Sequence, residues 1–199
     1  MAEFGDGVTL YFIRHGETDW NRLKRLQGQM DIPLNDTGRA QAQRNGRRLK
    51  DLLGEAIHSY PFVASPLGRT AETMELVREA AGLERGGYAT DDRLKEIKYG
   101  TWEGAYLEDL KRQDPEGFAQ RRADKFNWRP EAGESYGELT ERCRSWLETV
   151  ERDMVVVSHG GVSRVLRGLL LGLPNSETPL LEVPQDKVMI LQRGAVDWA

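Results

Sequence analysis

The stretch that decides the fold is Val8-Thr9-Leu10-Tyr11-Phe12-Ile13, which runs directly into Arg14-His15-Gly16-Glu17-Thr18. Its first six residues are β-branched, aromatic and nearly all apolar, which is typical of a short strand buried on both faces inside a parallel sheet. Short apolar runs at residues 61–64, 154–157 and 188–191 predict three further strands. The chain therefore has the elements of a buried central sheet.

Helical patterns lie between these strands. One helix is predicted to begin at Asp36-Thr37-Gly38, where Asp36 or Thr37 can cap it, and to end at Gly54. The other predicted helices cover residues 68–81, 105–113 and 116–123, the segment behind the capping-box pattern Ser135-Tyr136-Gly137-Glu138, and the apolar segment 162–170. Strands that alternate with helices predict an α/β fold of three layers, with a mostly parallel central sheet between helices on both faces.

The length of 199 residues fits one domain, which we place at residues 1–199. Within it, residues 101–134 are rich in charge, Trp and Gly, and are predicted to form an excursion from the core that can cover a site. The single cysteine, Cys143, can form no intramolecular disulfide, which favours a cytoplasmic protein. Monomer and homodimer both stay open.

Charge and hydropathy exclude several classes of partner. The chain carries 28 basic and 32 acidic residues, a net charge of −4, whereas general nucleic-acid binding draws on a surplus of Lys and Arg. Its apolar runs are far shorter than the about 20 residues that a membrane span needs. Residues 1–6 have neither the basic region nor the apolar core of a signal peptide. We therefore predict no nucleic-acid partner and no membrane partner.

Polar residues follow three of the predicted strands. The three strand ends read Arg14-His15-Gly16, Ser65-Pro66-Leu67-Gly68-Arg69 and Ser158-His159-Gly160-Gly161. Because ligands of open parallel sheets bind beyond the carboxyl ends of the strands, we expect these side chains to form one site.

Two histidines and two arginines at one sheet edge favour phosphate chemistry. The arginine fork matches phosphate oxygens bidentately, and a glycine after each histidine lets the backbone approach a ligand. Nearby positive charge lowers the pKa of a histidine, which leaves a neutral imidazole with a nucleophilic lone pair. Carboxylate binding would suit the arginines equally well, but it would give His15 and His159 no role. A dinuclear metal site would need carboxylate partners that the two His-Gly motifs lack.

Cleavage of a phosphomonoester also needs a proton for the leaving oxygen. Our candidate for the donor is Glu96, although the residues alone do not select it from the 32 acidic side chains.

Further motifs continue the pattern along the chain. In order they are Trp20-Asn21, Gln27-Gly28, Asp31-Ile32-Pro33-Leu34, Gly100-Thr101-Trp102-Glu103-Gly104 behind Glu96, and Gly133-Glu134-Ser135. Together with the three strand ends, this ordered set resembles the signature of the histidine phosphatase superfamily, branch 1, which includes the cofactor-dependent phosphoglycerate mutases. The resemblance covers nearly the whole chain and implies the phosphoglycerate mutase-like fold.

The resemblance also implies a role for each site residue. His15 would be the nucleophile that carries a phosphohistidine, and Glu96 would protonate the leaving group and then activate the acceptor. Three side chains would hold the phosphoryl oxygens, with two further groups beside them: Arg14, Arg69 and His159, with Asn21 and the amide of Gly160. Three residues would line the substrate pocket: Gln27, Gly28 and Tyr99. No metal is implied, because the arginines supply the electrostatic stabilisation that Mg²⁺ gives elsewhere.

The activity within this family stays open between two alternatives. A phosphatase gives the phosphoryl group to water, whereas a mutase returns it to a phosphorylated acceptor and needs 2,3-bisphosphoglycerate as donor. The short segment between Glu96 and His159 favours a metal-independent phosphatase of small phosphomonoesters. Tyr99, with Arg121-Arg122 and nearby Lys125 as a basic grip, keeps the phosphoglycerate mutase as the alternative. A non-catalytic phospholigand-binding protein is disfavoured, because the catalytic set is complete.

Overall fold

A computed structural model describes Gly5 and residues 7–199. Residues 1–4 and Asp6, which bear most of the signal-peptide prediction, lie outside the described residues. No helix within the described part of the chain is both long enough and apolar enough to cross a membrane.

The described residues form a six-stranded sheet with the strand order β3-β2-β4-β1-β5-β6. The strands are β1 (Leu10–Arg14), β2 (Phe62–Ala64), β3 (Ala89–Thr90), β4 (Met154–Ser158), β5 (Val188–Gln192) and β6 (Ala195–Trp198). The strands β1 to β4 run parallel to one another, whereas β5 is antiparallel to β1 and β6 is antiparallel to β5. The prediction of a mostly parallel sheet is confirmed, and the short strands β3 and β6 were not predicted.

Helices cover both faces of this sheet, as predicted. They are α1 (Asp19–Arg22), α2 (Asp36–Leu53), α3 (Gly68–Ala80), α4 (Leu107–Gln113), α5 (Pro115–Ala123), α6 (Tyr136–Leu147) and α7 (Gly160–Leu171). Phe12 and Val156 pack with residues of α6 and α7, whereas Ile13 and Val157 pack with residues of α2 and α3. Successive side chains of a strand point to opposite faces, so the two apolar clusters lie on the two sides of the sheet.

The predicted cap of α2 was wrong by one residue. The N-cap is Asn35, whose side-chain oxygen accepts a hydrogen bond of 2.9 Å from the amide of Gly38. Asp36 already lies within the helix, and its carboxylate pairs with Arg39 at 3.2 Å. Asn35 takes the cap because its backbone is extended, as a capping residue requires. The predicted helix end at Gly54 and the capping box of Ser135 with Glu138 are confirmed.

Strand register brings the three predicted strand ends together. Arg14 of β1 lies opposite Ser158 of β4, and Ala64 of β2 lies opposite Val157. The amide of His15 donates to the carbonyl of Ser158 at 2.9 Å, and the amide of Ser65 donates to the carbonyl of Val157 at 3.0 Å. The residues that follow β1, β2 and β4 therefore share one edge of the sheet.

The segment 101–134 lies against the loop that follows α1. The amide of Gly104 donates to the carbonyl of Leu26 at 2.7 Å, and the amide of Leu26 donates to the carbonyl of Ala105 at 3.0 Å. Inside the segment, Trp102 stacks on Trp128 with ring centroids 4.3 Å apart. Both tryptophans therefore act as packing anchors of this segment.

Candidate active site

The histidines that follow β1 and β4 lie side by side. The ring centroids of His15 and His159 are 5.2 Å apart, and the ring planes are inclined by 62°. Both side chains are buried, with residue exposures of 2% and 0%. The parallel pairing of β1 with β4 places them there, as the strand ends predicted.

The hydrogen bonding of His15 defines which nitrogen is free. Its Nδ1 lies 2.8 Å from the carbonyl oxygen of Gly16, which can only accept, so the ring proton is on Nδ1. Burial lowers the pKa of His15 well below its usual value, and the charges of Arg69 and Arg14 lower it further. The ring is therefore neutral at pH 7, and its Nε2 carries an available lone pair.

Two arginines flank the histidines, and backbone carbonyls hold each of them. Arg69 is 1% exposed and donates from Nη1 to the carbonyl of Met30 at 2.7 Å and from Nη2 to that of Gly28 at 2.8 Å. Arg14 donates from Nη1 to the carbonyl of Val183 at 2.7 Å. Burial lowers the pKa of Arg14 to about 10 and also lowers the pKa of Arg69, so both stay cationic at pH 7.

Several polar atoms at this site are buried without a hydrogen-bond partner among the described residues. They include Nε of Arg14, Nε of Arg69 and Nδ1 of His159. Burying a polar group without a partner costs roughly 1–3 kcal/mol, so such groups point to a missing ligand. Two of the three are guanidinium donors, which suits an anion.

The carboxyl group of Glu96 contacts the first turn of α7, although Glu96 itself lies in the loop before Gly100. Its Oε1 accepts from the amide of Gly161 at 2.9 Å and from that of Ile97 at 3.0 Å, while Oε2 lies 3.3 Å from the amide of Gly161. The backbone therefore fixes Glu96 and leaves Oε2 the less engaged oxygen.

These residues surround a cavity of about 140 Å³. Its lining contains Arg14, His15, Asn21, Arg25, Leu26, Gln27, Gly28, Arg69, Glu96, Tyr99, Gly160 and Arg164. Every catalytic and pocket residue that the resemblance implied is in this lining except His159, whose ring lies against that of His15. The candidates for a basic grip are not in it: Arg121, Arg122 and Lys125. The residues that the family resemblance implied for the site therefore lie together around one cavity in the fold.

Asn21 is held to the loop after β1 by a residue that the sequence analysis missed. Gln185 donates from Nε2 to Oδ1 of Asn21 at 3.1 Å and to the carbonyl of His15 at 3.0 Å. No sequence pattern marks Gln185, because it lies in an irregular segment before β5.

Two arginines of the cavity were also missed. Arg164 lies one helical turn after Gly160, so both are on the same face of α7, and that spacing was a usable signal. Its Nε donates to the carbonyl of Leu181 at 2.7 Å. Arg25 donates from Nε to the carbonyl of Gly104 at 2.7 Å and stacks over Trp20 at 4.3 Å. The position of Arg25 depends on its contact with the segment 101–134, and no local sequence pattern predicts that contact.

No group of three or more His, Cys, Asp or Glu side chains within the described residues is arranged to hold a metal ion. The cavity lining instead combines four arginines with a single carboxylate, that of Glu96.

Comparison with known proteins gives consistent results. Residues 10–199 match the family described as "Histidine phosphatase superfamily (branch 1)". A protein of Erwinia tasmaniensis named "Probable phosphoglycerate mutase GpmB" is 36% identical over 180 residues, which are 87% of this chain and 80% of that protein.

Solved structures show the same similarity. A mycobacterial glucosyl-3-phosphoglycerate phosphatase in complex with VO3 superposes with a TM-score of 0.79 and 27% identity, covering 97% of each chain. YhfR of Bacillus stearothermophilus superposes with a TM-score of 0.78 and 30% identity, covering 97% of this chain and 96% of its own. The predicted family and the predicted phosphoglycerate mutase-like fold are confirmed: the chain belongs to branch 1 of the histidine phosphatase superfamily.

Proposed function

We propose that this protein is a metal-independent phosphatase of small phosphomonoesters that works through a phosphohistidine at His15. The observation that carries the proposal is the hydrogen bond between Nδ1 of His15 and the carbonyl of Gly16, which leaves Nε2 free beside a cavity that Arg14 and Arg69 also line. A neutral imidazole is a nucleophile, and a phosphoryl group is the electrophile that the arginine forks fit.

In the first step, the Nε2 lone pair of His15 attacks phosphorus. The bond between phosphorus and the ester oxygen breaks, and the leaving oxygen takes a proton from the Glu96 carboxyl group, which we assign to Oε2. Arg14, Arg69 and His159 hold the nonbridging phosphoryl oxygens, with Asn21 and the amide of Gly160 beside them. A hydrogen bond to a charged group contributes roughly 1.5–3 kcal/mol.

In the second step, the Glu96 carboxylate takes a proton from a water molecule. The water oxygen attacks phosphorus, the bond between phosphorus and Nε2 breaks, and inorganic phosphate leaves. His15 and Glu96 then have their starting protonation states. Both steps use the same carboxyl group, first as acid and then as base.

We further propose that residues 1–199 form one domain and that residues 101–134 act as its cap. The hydrogen bonds between this segment and the cavity residue Leu26 support the second statement. Gln27, Gly28 and Tyr99 would then line the substrate pocket beneath the cap. The protein would be cytoplasmic and would act on a small phosphorylated substrate without a nucleic-acid or membrane partner.

A phosphoglycerate mutase that uses 2,3-bisphosphoglycerate is the second candidate, and a cluster of cations beside the cavity favours it. Burial, together with the charges of Arg121 and Arg164, lowers the pKa of Lys125 to about 8. The Lys125 ammonium donates to the carbonyl of Pro179 at 2.7 Å, and no ion pair to Arg121, Lys125 or Arg164 is found in the described part of the chain. A carboxylate or second phosphate on the substrate would neutralise this cluster.

Incubation with 3-phosphoglycerate, with and without 2,3-bisphosphoglycerate, separates the two candidates. We expect release of inorganic phosphate in both incubations and no 2-phosphoglycerate, because water is the acceptor. Both isomers and free phosphate are followed by ³¹P NMR. Appearance of 2-phosphoglycerate without phosphate release, dependent on the bisphosphate, would replace the phosphatase by the mutase.

Chelators are expected to leave hydrolysis of p-nitrophenyl phosphate unchanged. The reason is that Arg14 and Arg69 supply the positive charge that a metal ion supplies elsewhere. The measurement is kcat/KM before and after dialysis against EDTA, with an assay in metal-free buffer. Loss of activity that one particular divalent ion restores would contradict the metal-independent mechanism.

A further inference from the structure

Ser65 makes one hydrogen bond that the mechanism above does not use. Its hydroxyl oxygen lies 2.8 Å from Nε2 of His159, and both residues are completely buried. The backbone of Ser65 is fixed on both sides, since its amide donates to Val157 at 3.0 Å and its carbonyl accepts from the hydroxyl of Thr70 at 2.9 Å. The hydroxyl group is therefore held in place next to the ring.

The direction of this hydrogen bond follows from the surroundings of both partners. If Nε2 of His159 donated, the Ser65 hydroxyl proton would need another acceptor. Among the described residues, the only other hydrogen bond to that oxygen comes from the amide of Leu67 at 3.5 Å, and this amide donates. Nδ1 of His159 would then carry a buried lone pair that accepts no hydrogen bond from any described residue. If Ser65 donates instead, both its proton and the Nε2 lone pair are satisfied, and the ring proton is on Nδ1.

We propose that Ser65 is a positioning residue that donates to Nε2 of His159 and thereby keeps the ring proton on Nδ1, where it meets an oxygen of the transferring phosphoryl group. His15 and His159 then both carry the ring proton on Nδ1, but the proton has a different partner in each residue. In His15 the Nδ1 proton is bonded to Gly16 and frees Nε2 as the nucleophile. In His159 the Nδ1 proton is itself the group offered to the substrate.

The donor at this position is a neutral imidazole and not an imidazolium. His159 is surrounded by the cations of Arg69, Arg14 and Arg142 and by the ring of His15, and burial together with these charges lowers its pKa well below the usual value. The ring is therefore neutral at pH 7 and donates from Nδ1 only when its tautomer is fixed. Outer partners that fix the tautomer of a functional histidine are worth about 10–100-fold at metal sites.

The test is a comparison of Ser65→Ala with Ser163→Ala. Ser163 is also completely buried, and within the described residues its hydroxyl has only a 3.9 Å contact with the sulfur of Met189. This control therefore removes a buried hydroxyl that is not bonded to the His159 ring, and it keeps the bond from the Ser163 amide to the His159 carbonyl. The chain has only three histidines, which makes their ¹⁵N ring signals easy to assign with single variants. Binding of inorganic phosphate is measured on the same samples, by titration at a single fixed pH.

In the wild type and in Ser163→Ala we expect a protonated Nδ1 and an unprotonated Nε2 on His159. In Ser65→Ala we expect a mixture of tautomers and about tenfold to hundredfold weaker phosphate binding. Binding by the control Ser163→Ala should match that of the wild type.

A wild-type His159 with its proton on Nε2 would overturn the proposal, even if Ser65→Ala failed to fold. Phosphate binding by Ser65→Ala with the affinity of the control would overturn it as well. The inference rests on the proposed phosphoryl chemistry, but neither measurement needs turnover. A protein that binds phosphate with the expected tautomer but forms no phosphohistidine would therefore contradict the proposed function and leave the role of Ser65 in phosphate binding intact.

Discussion

Replacement of His15 by alanine is expected to lower the turnover of p-nitrophenyl phosphate by about 10⁴-fold or more, since loss of the nucleophile removes the covalent route altogether. The fold should remain, because the ring lies at the edge of the sheet against the cavity and not in either apolar cluster. Activity is measured as kcat, and the phosphoenzyme is trapped by denaturation after incubation with a ³²P-labelled ester. The wild type should retain the label and His15→Ala should not.

The matched control for this experiment is His58→Ala. His58 is exposed, its Nε2 lies 3.6 Å from the carboxylate of Glu55, and it is not in the cavity lining, so the same substitution there should change neither kcat nor labelling. A His15→Ala protein that kept most of its rate would end the assignment of the nucleophile. Label that persisted in His15→Ala at a second histidine would instead move the nucleophile to that residue.

Much of this site could be predicted from the sequence, because the ends of buried strands can be recognised from short local stretches of residues. Short apolar runs identified β1, β2 and β4, and the residues after a parallel strand must lie at one sheet edge whatever the rest of the chain does. That argument alone brought His15, His159 and Arg69 together. Glu96 has no such signal, since it follows a single turn of 3₁₀ helix, and only the family resemblance selected it.

The features that escaped prediction depend on contacts between distant segments. β3 consists of two exposed residues and is a strand because it pairs with β2, so no periodic pattern of apolar residues predicts it. Arg25 reaches the cavity through its bond to Gly104, and Gln185 through its bonds to His15 and Asn21. The hydrogen bond between Ser65 and His159 spans 94 positions of sequence. For each of these contacts, the two partners can be identified only from the tertiary structure.

The role of Glu96 gives the second large expected effect, which depends on the leaving group. Glu96→Gln keeps an oxygen that can accept from the amides of Gly161 and Ile97, so the side chain should stay in place without a transferable proton. General acid–base catalysis typically contributes 10²–10⁴-fold. We expect a loss of about that size in phosphoenzyme formation from glycerol 3-phosphate, whose alkoxide leaves poorly, and a much smaller loss with p-nitrophenyl phosphate.

Rapid-quench measurement of the phosphoenzyme separates the two uses of Glu96. With p-nitrophenyl phosphate the variant should form the phosphoenzyme almost normally and then accumulate it, because the base that activates water is missing in the second step. Glu103→Gln is the control: its carboxylate accepts from the amides of Gln29 and Tyr99 and is outside the cavity lining, so any effect should be the same for both esters. Equal slowing of both esters in Glu96→Gln would mean that another group protonates the leaving oxygen, since only a proton donor discriminates between leaving groups in this way.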